Sequence, residues 1–91
     1  MVEIKIFQTE DPSLMFKRYD RVAEQGVDLD KYDLVWHEVI LEGHEPGLDD
    51  IFERFNIDLP RGYAGRSLSV SDIIELNDEK WYVDSFGFKR L

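Results

Sequence analysis

Cysteine is absent from this chain of 91 residues. That excludes a disulfide framework, a thiolate metal site and a cysteine nucleophile, and it agrees with a reducing, cytoplasmic setting. Long apolar runs are missing too: no stretch approaches the roughly 18–20 residues that a membrane-spanning helix needs. The start, Met1-Val2-Glu3-Ile4-Lys5-Ile6, has no basic region followed by an apolar core, so no secretory leader is expected. Proline occurs three times and glycine six times, too few for a collagen-like or low-complexity chain. Positive charge is scarce, with 11 bases against 20 acids and a net charge of −9. A polyanion is repelled by phosphate, so direct nucleic-acid binding is disfavoured.

Apolar and aromatic residues are plentiful. They make up 43% and 13% of the chain, which is the composition of a folded domain rather than a disordered one. At this length the expectation is a single domain over residues 1–91 with one modest core. The charge is uneven: residues 28–58 hold ten acids and two bases, Lys31 and Arg54, and so carry −8 of the −9. Such a segment is ordinarily a solvated face that keeps a protein soluble. A sharper reading makes it a patch aimed at a basic partner, or a decoy that imitates DNA.

Periodicity supplies the elements. Val2, Ile4 and Ile6 alternate with Glu3 and Lys5, the signature of a half-buried strand. Asp11-Pro12 suits a helix start, since Asp caps and Pro tolerates the first helical position. Leu14, Met15, Tyr19 and Val22 share a face, and Gly26 suits the stop; the expected helix covers residues 12–25. Residues 34–41, Leu-Val-Trp-His-Glu-Val-Ile-Leu, are rich in β-branched and aromatic types and read as a strand. Both of its faces are partly apolar, which predicts a central position in the sheet. Gly43 to Gly47 reads as a loop. Leu48, Ile51, Phe52 and Phe55 stand at i, i+3, i+4 and i+7, a short amphipathic helix with Asp49 and Asp50 in its first turn and Arg54 in its last. Residues 57–69 form a long connection, of the kind that is disproportionately functional. A C-terminal hairpin follows, turning at Asn77-Asp78, with Trp81 to Phe88 as its second arm.

The order β-α-β-α-β-β predicts an α+β fold: an antiparallel or mixed sheet of three to five strands, packed by two helices. The first two strands, joined through a helix, are candidates for a parallel pair with a right-handed crossover.

Chemistry-bearing patterns are thin. His37 and His44 stand seven apart, not in the His-Glu-x-x-His spacing that sets two ligands on one helical turn; no metal and no cofactor are expected. Ser67, Ser69 and Ser71 lack the Gly-x-Ser-x-Gly elbow and a visible base, so they are expected to make local hydrogen bonds where the chain enters the strand. No catalytic residue is assigned. Asp72 and Asp84, one on each arm of the hairpin, are placed to face each other, to bracket a basic partner group or, by the ordinary rule for strand acids, to face solvent. Arg61-Gly62-Tyr63-Ala64-Gly65-Arg66 interleaves bases with glycine and an aromatic, but lacks the Gly-x4-Gly-Lys-Ser/Thr pattern of a phosphate loop. The partner-binding candidates are Asp72, Asp84, Ser85, Arg61, Tyr63 and Arg66.

The hairpin also carries a resemblance. Leu68-Ser69-Val70-Ser71-Asp72, with Ile73-Ile74 behind it, and then Tyr82-Val83-Asp84-Ser85-Phe86-Gly87-Phe88, resemble the YodL-like domain family, most strongly from Leu59 to Leu91. Residues 48–55 are compatible with it, and the first third of the chain is only loosely so. The family consists of small Firmicutes domains, alone or appended to longer proteins, often in conjugative elements and phages. The resemblance implies no catalytic residues. It implies an accessory or regulatory protein that binds a protein of the host or of the element. Read from the residues, Val70, Ile73, Ile74, Leu76, Trp81, Val83, Phe86 and Phe88 are core candidates, and Gly87 marks a bulge or a close backbone approach. The expectation is a non-enzymatic interaction module with an unidentified protein partner and no membrane contact, itself a monomer or weak homodimer. The DNA-mimicking decoy is the alternative.

Overall fold

The computed structural model describes residues 2–15, 17–22, 26–40, 46–63, 65–85 and 87–91. The expectations for the C-terminal part of helix 12–25, for Leu41, for most of the loop with His44, for Ala64 and for Phe86 lie outside these residues. Among the described ones the elements are β1 (Val2–Gln8), α1 (Tyr19–Val22), a 3-10 turn (Leu29–Lys31), β2 (Asp33–Ile40), α2 (Leu48–Ile57), β3 (Ile73–Leu76), β4 (Glu79–Asp84) and β5 (Gly87–Arg90). The strands form one antiparallel sheet in the order β2-β1-β3-β4-β5.

Two sequence expectations are corrected here. β2 is an edge strand, not a central one, and it pairs with β1 antiparallel rather than parallel. The central strand next to β2 is β1, whose four inward positions Val2, Ile4, Ile6 and Gln8 are all buried. β2 is apolar on both sides for another reason. Leu34 and Val39 are half exposed, while Val35, Trp36 and Ile40 pack on the core. The pairing register slips between Ile6 and Phe7, where Ile6 faces Trp36 and Phe7 faces Leu34. Val35 is thus the extra residue of a β-bulge.

Each sheet face has its own core. On one, Val2, Ile4, Ile6, Ile74 and Val83 meet Ile51 and Phe55 of α2 and Leu68 of the following loop. Each such buried side chain contributes about 1.5–3 kcal/mol. α2 starts as its sequence predicts: Asp50 Oδ2 accepts from the Gly47 N–H at 3.0 Å. On the other face, Ile73, Tyr82 and Tyr32 are buried with Phe7, Leu14, Tyr19 and Val27 around them.

That second cluster explains why the described residues of the 12–25 span are not one continuous helix. The chain turns at Asp11, whose Oδ1 accepts from the Ser13 N–H at 2.9 Å, and the α-helical residues after it are Tyr19–Val22. The Lys17 carbonyl accepts from Tyr82 Oη at 2.7 Å, and the Tyr19 N–H donates to Asp84 Oδ1 at 3.0 Å. Backbone groups that would extend a helix are held by β4 instead, a case of tertiary contacts overriding propensity.

The hairpin turns where expected. Asn77 and Asp78 both have positive φ, 50° and 68°, as a type I′ turn requires. Asn77 is tied to β1 as well: Glu3 N donates to its Oδ1 and its own N–H donates to the Glu3 carbonyl, both at 3.0 Å. The second arm is two strands rather than one. The chain reverses at Ser85, and Gly87 enters β5 at φ +97°, opposite Asp84.

Near the Asn77-Asp78 end, the face away from α2 carries a row of alternating charge. Lys80 Nζ lies 2.9 Å from Glu75, Lys5 Nζ 3.5 Å from both Glu75 and Glu3, and His37 Nε2 3.0 Å from Glu3. Lys80, Glu75, Lys5 and His37 are direct cross-strand partners, so the row ties four strands together. Glu3 and Glu75 also stand within ligand distance of Asp78, but Lys5 lies against both and Lys80 against Glu75.

Candidate functional site

The sequence candidates separate into two places. Asp72, Tyr63 and Arg66 come together at the junction of β1, the 57–69 connection and β3. Asp84 and Ser85 lie beyond them at the β4–β5 turn. Asp72 and Asp84 do not face each other, because they bond to different parts of the molecule. Arg61 is exposed in the turn after Pro60.

Asp72 is fully buried, which corrects its expected place on a solvent face. Its Oδ2 accepts from Gln8 Nε2 at 3.0 Å and from the Ser69 N–H at 2.9 Å. Its Oδ1 accepts no hydrogen bond among the described residues and stands 3.9 Å from Arg66 Nη2. Burial pushes the carboxyl up to about 6, against the pull of the Ser69 and Gln8 hydrogen bonds and the Arg66 charge.

Gln8 is the organiser of this junction. Its Oε1 accepts from the Arg66 N–H at 2.8 Å and its Nε2 donates to the Arg66 carbonyl at 2.9 Å. The side-chain amide thereby pairs with the loop backbone as a neighbouring strand would. Tyr63 Oη donates to the same carbonyl at 2.7 Å, and Arg66 Nη2 donates to the Thr9 carbonyl at 2.8 Å. The Tyr63 ring packs edge-on to Phe55 and Trp36, with centroids 5.1 and 6.0 Å away, and burial, then the Asp72 charge, raises its hydroxyl to about 12. Gly65 sits against this arrangement so closely that a Cβ would lie 2.5 Å from Gln8 Oε1 and 2.8 Å from Tyr63 Oη. Around Tyr63, Gly65 and Arg66 the 57–69 connection is therefore clasped to β1. Its Tyr63 and Arg66, both half-buried, hold the segment to β1 through these bonds.

Gln8 was not among the residues read as functional, although extending the Val2, Ile4, Ile6 alternation by one step places it inward. A cleft of about 110 Å³ beside Gly65 and Arg66 is lined by Glu10 and Asp33 as well, and carboxylates repel an anion. Arg66 points at Thr9 and Asp72 instead.

Asp84 closes β4. Its Oδ1 accepts from the Tyr19 N–H at 3.0 Å and the Ser85 N–H at 2.9 Å. Burial raises this carboxyl, but those two bonds and the charges of Lys89 and Arg18 together hold it below the usual carboxylate range. With Ser85, Val83, Gly87 and Phe88 it lines a cleft of about 180 Å³ whose other wall is Asp49 and Phe52 of α2. Both clefts fall below the roughly 300–1,000 Å³ of ordinary small-molecule sites.

The two sheet edges differ in the way that matters for association. β5 is four residues long and carries Lys89 and Arg90, the usual protection of an edge. β2 is eight residues long, contains no proline and no lysine, and exposes Leu34 and Val39, each at 52%. Asp28, Asp30 and Asp33 are exposed beside its start.

Among the described residues no helix is long and apolar enough to cross a membrane. No curated protein and no solved structure matches this chain. The YodL-like domain model matches residues 3–91. It therefore takes in β1 and the residues before β2, where the resemblance in the sequence is loosest, as well as the hairpin that carries it most clearly. The chain belongs to the YodL-like domain family.

Proposed function

We propose that this chain is a non-enzymatic interaction module, an accessory or regulatory protein that binds an extended, basic segment of a partner protein along the open edge of β2. The observation that supports this reading is the contrast between the two edges. An unpaired strand offers a row of N–H and C=O groups that a partner strand can complete, and β2 is the longer edge without proline or lysine, bordered by exposed Leu34 and Val39. Charge selects the occupant. A chain at −9, with Asp28, Asp30 and Asp33 beside that strand, favours a basic partner and opposes a second copy of itself. A cytoplasmic setting in a bacterial host or mobile element belongs to the same proposal.

The decoy reading has less behind it. The described acids of residues 28–58 fall on the 3-10 turn, β2, α2 and its end, and Glu38 is held by Arg54 at 2.7 Å. The test is capture of a partner with the tagged chain beside a Leu34→Lys/Val39→Lys variant. Both positions are half exposed, so the fold should tolerate the change within about 0.5 kcal/mol. A purified partner that binds the parent chain and is weakened about tenfold or more by the variant supports the β2 edge. Equal binding to both proteins refutes it.

A further inference from the structure

We propose that the cleft between α2 and the β4–β5 turn is a receptor for one cationic side chain, lysine or arginine, of a partner protein. The cleft stands at the far side of the sheet from β2 in strand order, so the inference does not depend on the β2 edge.

Its lining is what a long cationic side chain needs. Phe52 and Phe88 meet edge to face, with centroids 6.2 Å apart, and Val83 adds an apolar floor. Asp49 and Asp84 supply carboxylates, and no lysine or arginine is among the described lining residues, although the charges of Lys89 and Arg18 reach Asp84. Lysine and arginine bury an aliphatic stem while keeping the charged head at a polar rim, and a ring beside the head adds a cation–π attraction. Asp84 is fixed in place, since the Tyr19 and Ser85 N–H groups hold its Oδ1. Those bonds, with the charges of Lys89 and Arg18, hold its carboxyl below the usual range against burial.

Size and shape restrict the occupant. About 180 Å³ accommodates one side chain rather than a cofactor or drug-sized molecule. At Gly87 the mouth is open: a Cβ there would meet nothing within 4 Å, which leaves room for the main chain that carries the side chain. Ser85, exposed beside Asp84, offers a hydroxyl at the rim. This gives Asp84 and Ser85 a shared role that Asp72, buried at the clasp, does not have.

The test is a two-dimensional amide NMR titration of the whole chain with three probes: an acetylated Ala-Lys-Ala amide, its norleucine counterpart, and spermidine. The lysine peptide is expected to move the Ser85, Gly87 and Phe88 amides saturably, with affinity in the millimolar range. The norleucine peptide should bind about fivefold more weakly or worse, as should the lysine peptide to an Asp49→Asn/Asp84→Asn variant. Asparagine at position 84 keeps the acceptor for Tyr19 and Ser85, and Asp49→Asn alone, on an exposed position, serves as the control variant that leaves β4 untouched. Norleucine binding as well as lysine, or no saturable movement at about 10 mM peptide, overturns the proposal. So does unchanged affinity in both variants, or spermidine binding the same amides more tightly than the peptide.

Discussion

Replacing Asp72 by asparagine should change how stability depends on pH, and in an unusual direction. Most carboxylates in folded proteins are held down, so stability is lost as acid protonates them. Asp72 is held up, to about 6 from 3.8, because burial outweighs its hydrogen bonds. The folded protein therefore keeps a proton that the unfolded chain releases. Stability from this group is complete below about pH 4 and is lost as pH rises to about 6, after which it is constant. The span corresponds to about 3 kcal/mol, an order-of-magnitude figure, at about 1.4 kcal/mol per tenfold change in proton affinity. The substituted asparagine would keep an oxygen for Gln8 Nε2 and the Ser69 N–H and carries no charge, so it imitates the protonated form. Urea unfolding of both proteins, followed by tryptophan fluorescence from about pH 4 to 7, gives the difference in stability. Glu38 and Asp84, which are held low, pull the other way in both proteins and cancel. The parent chain should lose about 3 kcal/mol relative to the variant across that range. A constant difference would refute the reasoning. A parent chain that gains on the variant as pH rises would mean that the Arg66 charge, 3.9 Å away, outweighs burial.

Other substitutions test the parts that hold this junction and the hairpin. Gly65→Ala should cost about 1–3 kcal/mol, because its Cβ displaces Gln8 Oε1 and Tyr63 Oη from their bonds to Arg66; an unchanged urea midpoint would show that those side chains yield freely. Asn77→Ala should cost about 1–2 kcal/mol by losing both the acceptor for Glu3 N and a residue tolerant of positive φ, and Asn77→Gly should recover part of that loss. Tyr82→Phe should cost about 1 kcal/mol and speed amide exchange around Lys17, whose carbonyl loses its donor.

The regular elements were legible where one periodic pattern dominated. The 3.6-residue spacing of Leu48, Ile51, Phe52 and Phe55 became α2, and Asn77-Asp78 became the turn between β3 and β4. Gly87, expected to mark a bulge or a close backbone approach, does neither: nothing lies within 4 Å of where its Cβ would be and β4–β5 pair without a shift, but it takes the positive φ that only glycine adopts freely. What the pattern did not contain was which neighbour each strand meets. β2 looked central because both its faces carry apolar residues, yet some of those, Leu34 and Val39, lie open at the edge. Residues 12–25 had a helical spacing that Tyr82 and Asp84, some 65 positions further on, override.

The clasp was hidden for a similar reason. An acid in a hairpin normally faces water, and nothing local marks Asp72 as the exception. Its burial depends on Gln8, 64 residues away. Leu68 was overlooked because it lies in a connection, although the Leu68 N–H bonds the Phe55 carbonyl at 3.1 Å and its side chain completes the α2 core. Tyr63 and Arg66 share in the clasp through bonds to residues far away in the chain or across the loop, which no local pattern shows.

The central claim is that the β2 edge accepts a basic strand, and backbone amide hydrogen exchange tests it most directly. The probe is an alternating valine–lysine octapeptide, long enough to run beside all eight residues of β2. With saturating peptide, amides of residues 33–40 should exchange more slowly while those of β5, residues 87–90, do not change, and an aspartate-for-lysine peptide should leave both unchanged. Protection on β5 instead, or unaltered exchange along β2 with the basic peptide bound, would contradict the account.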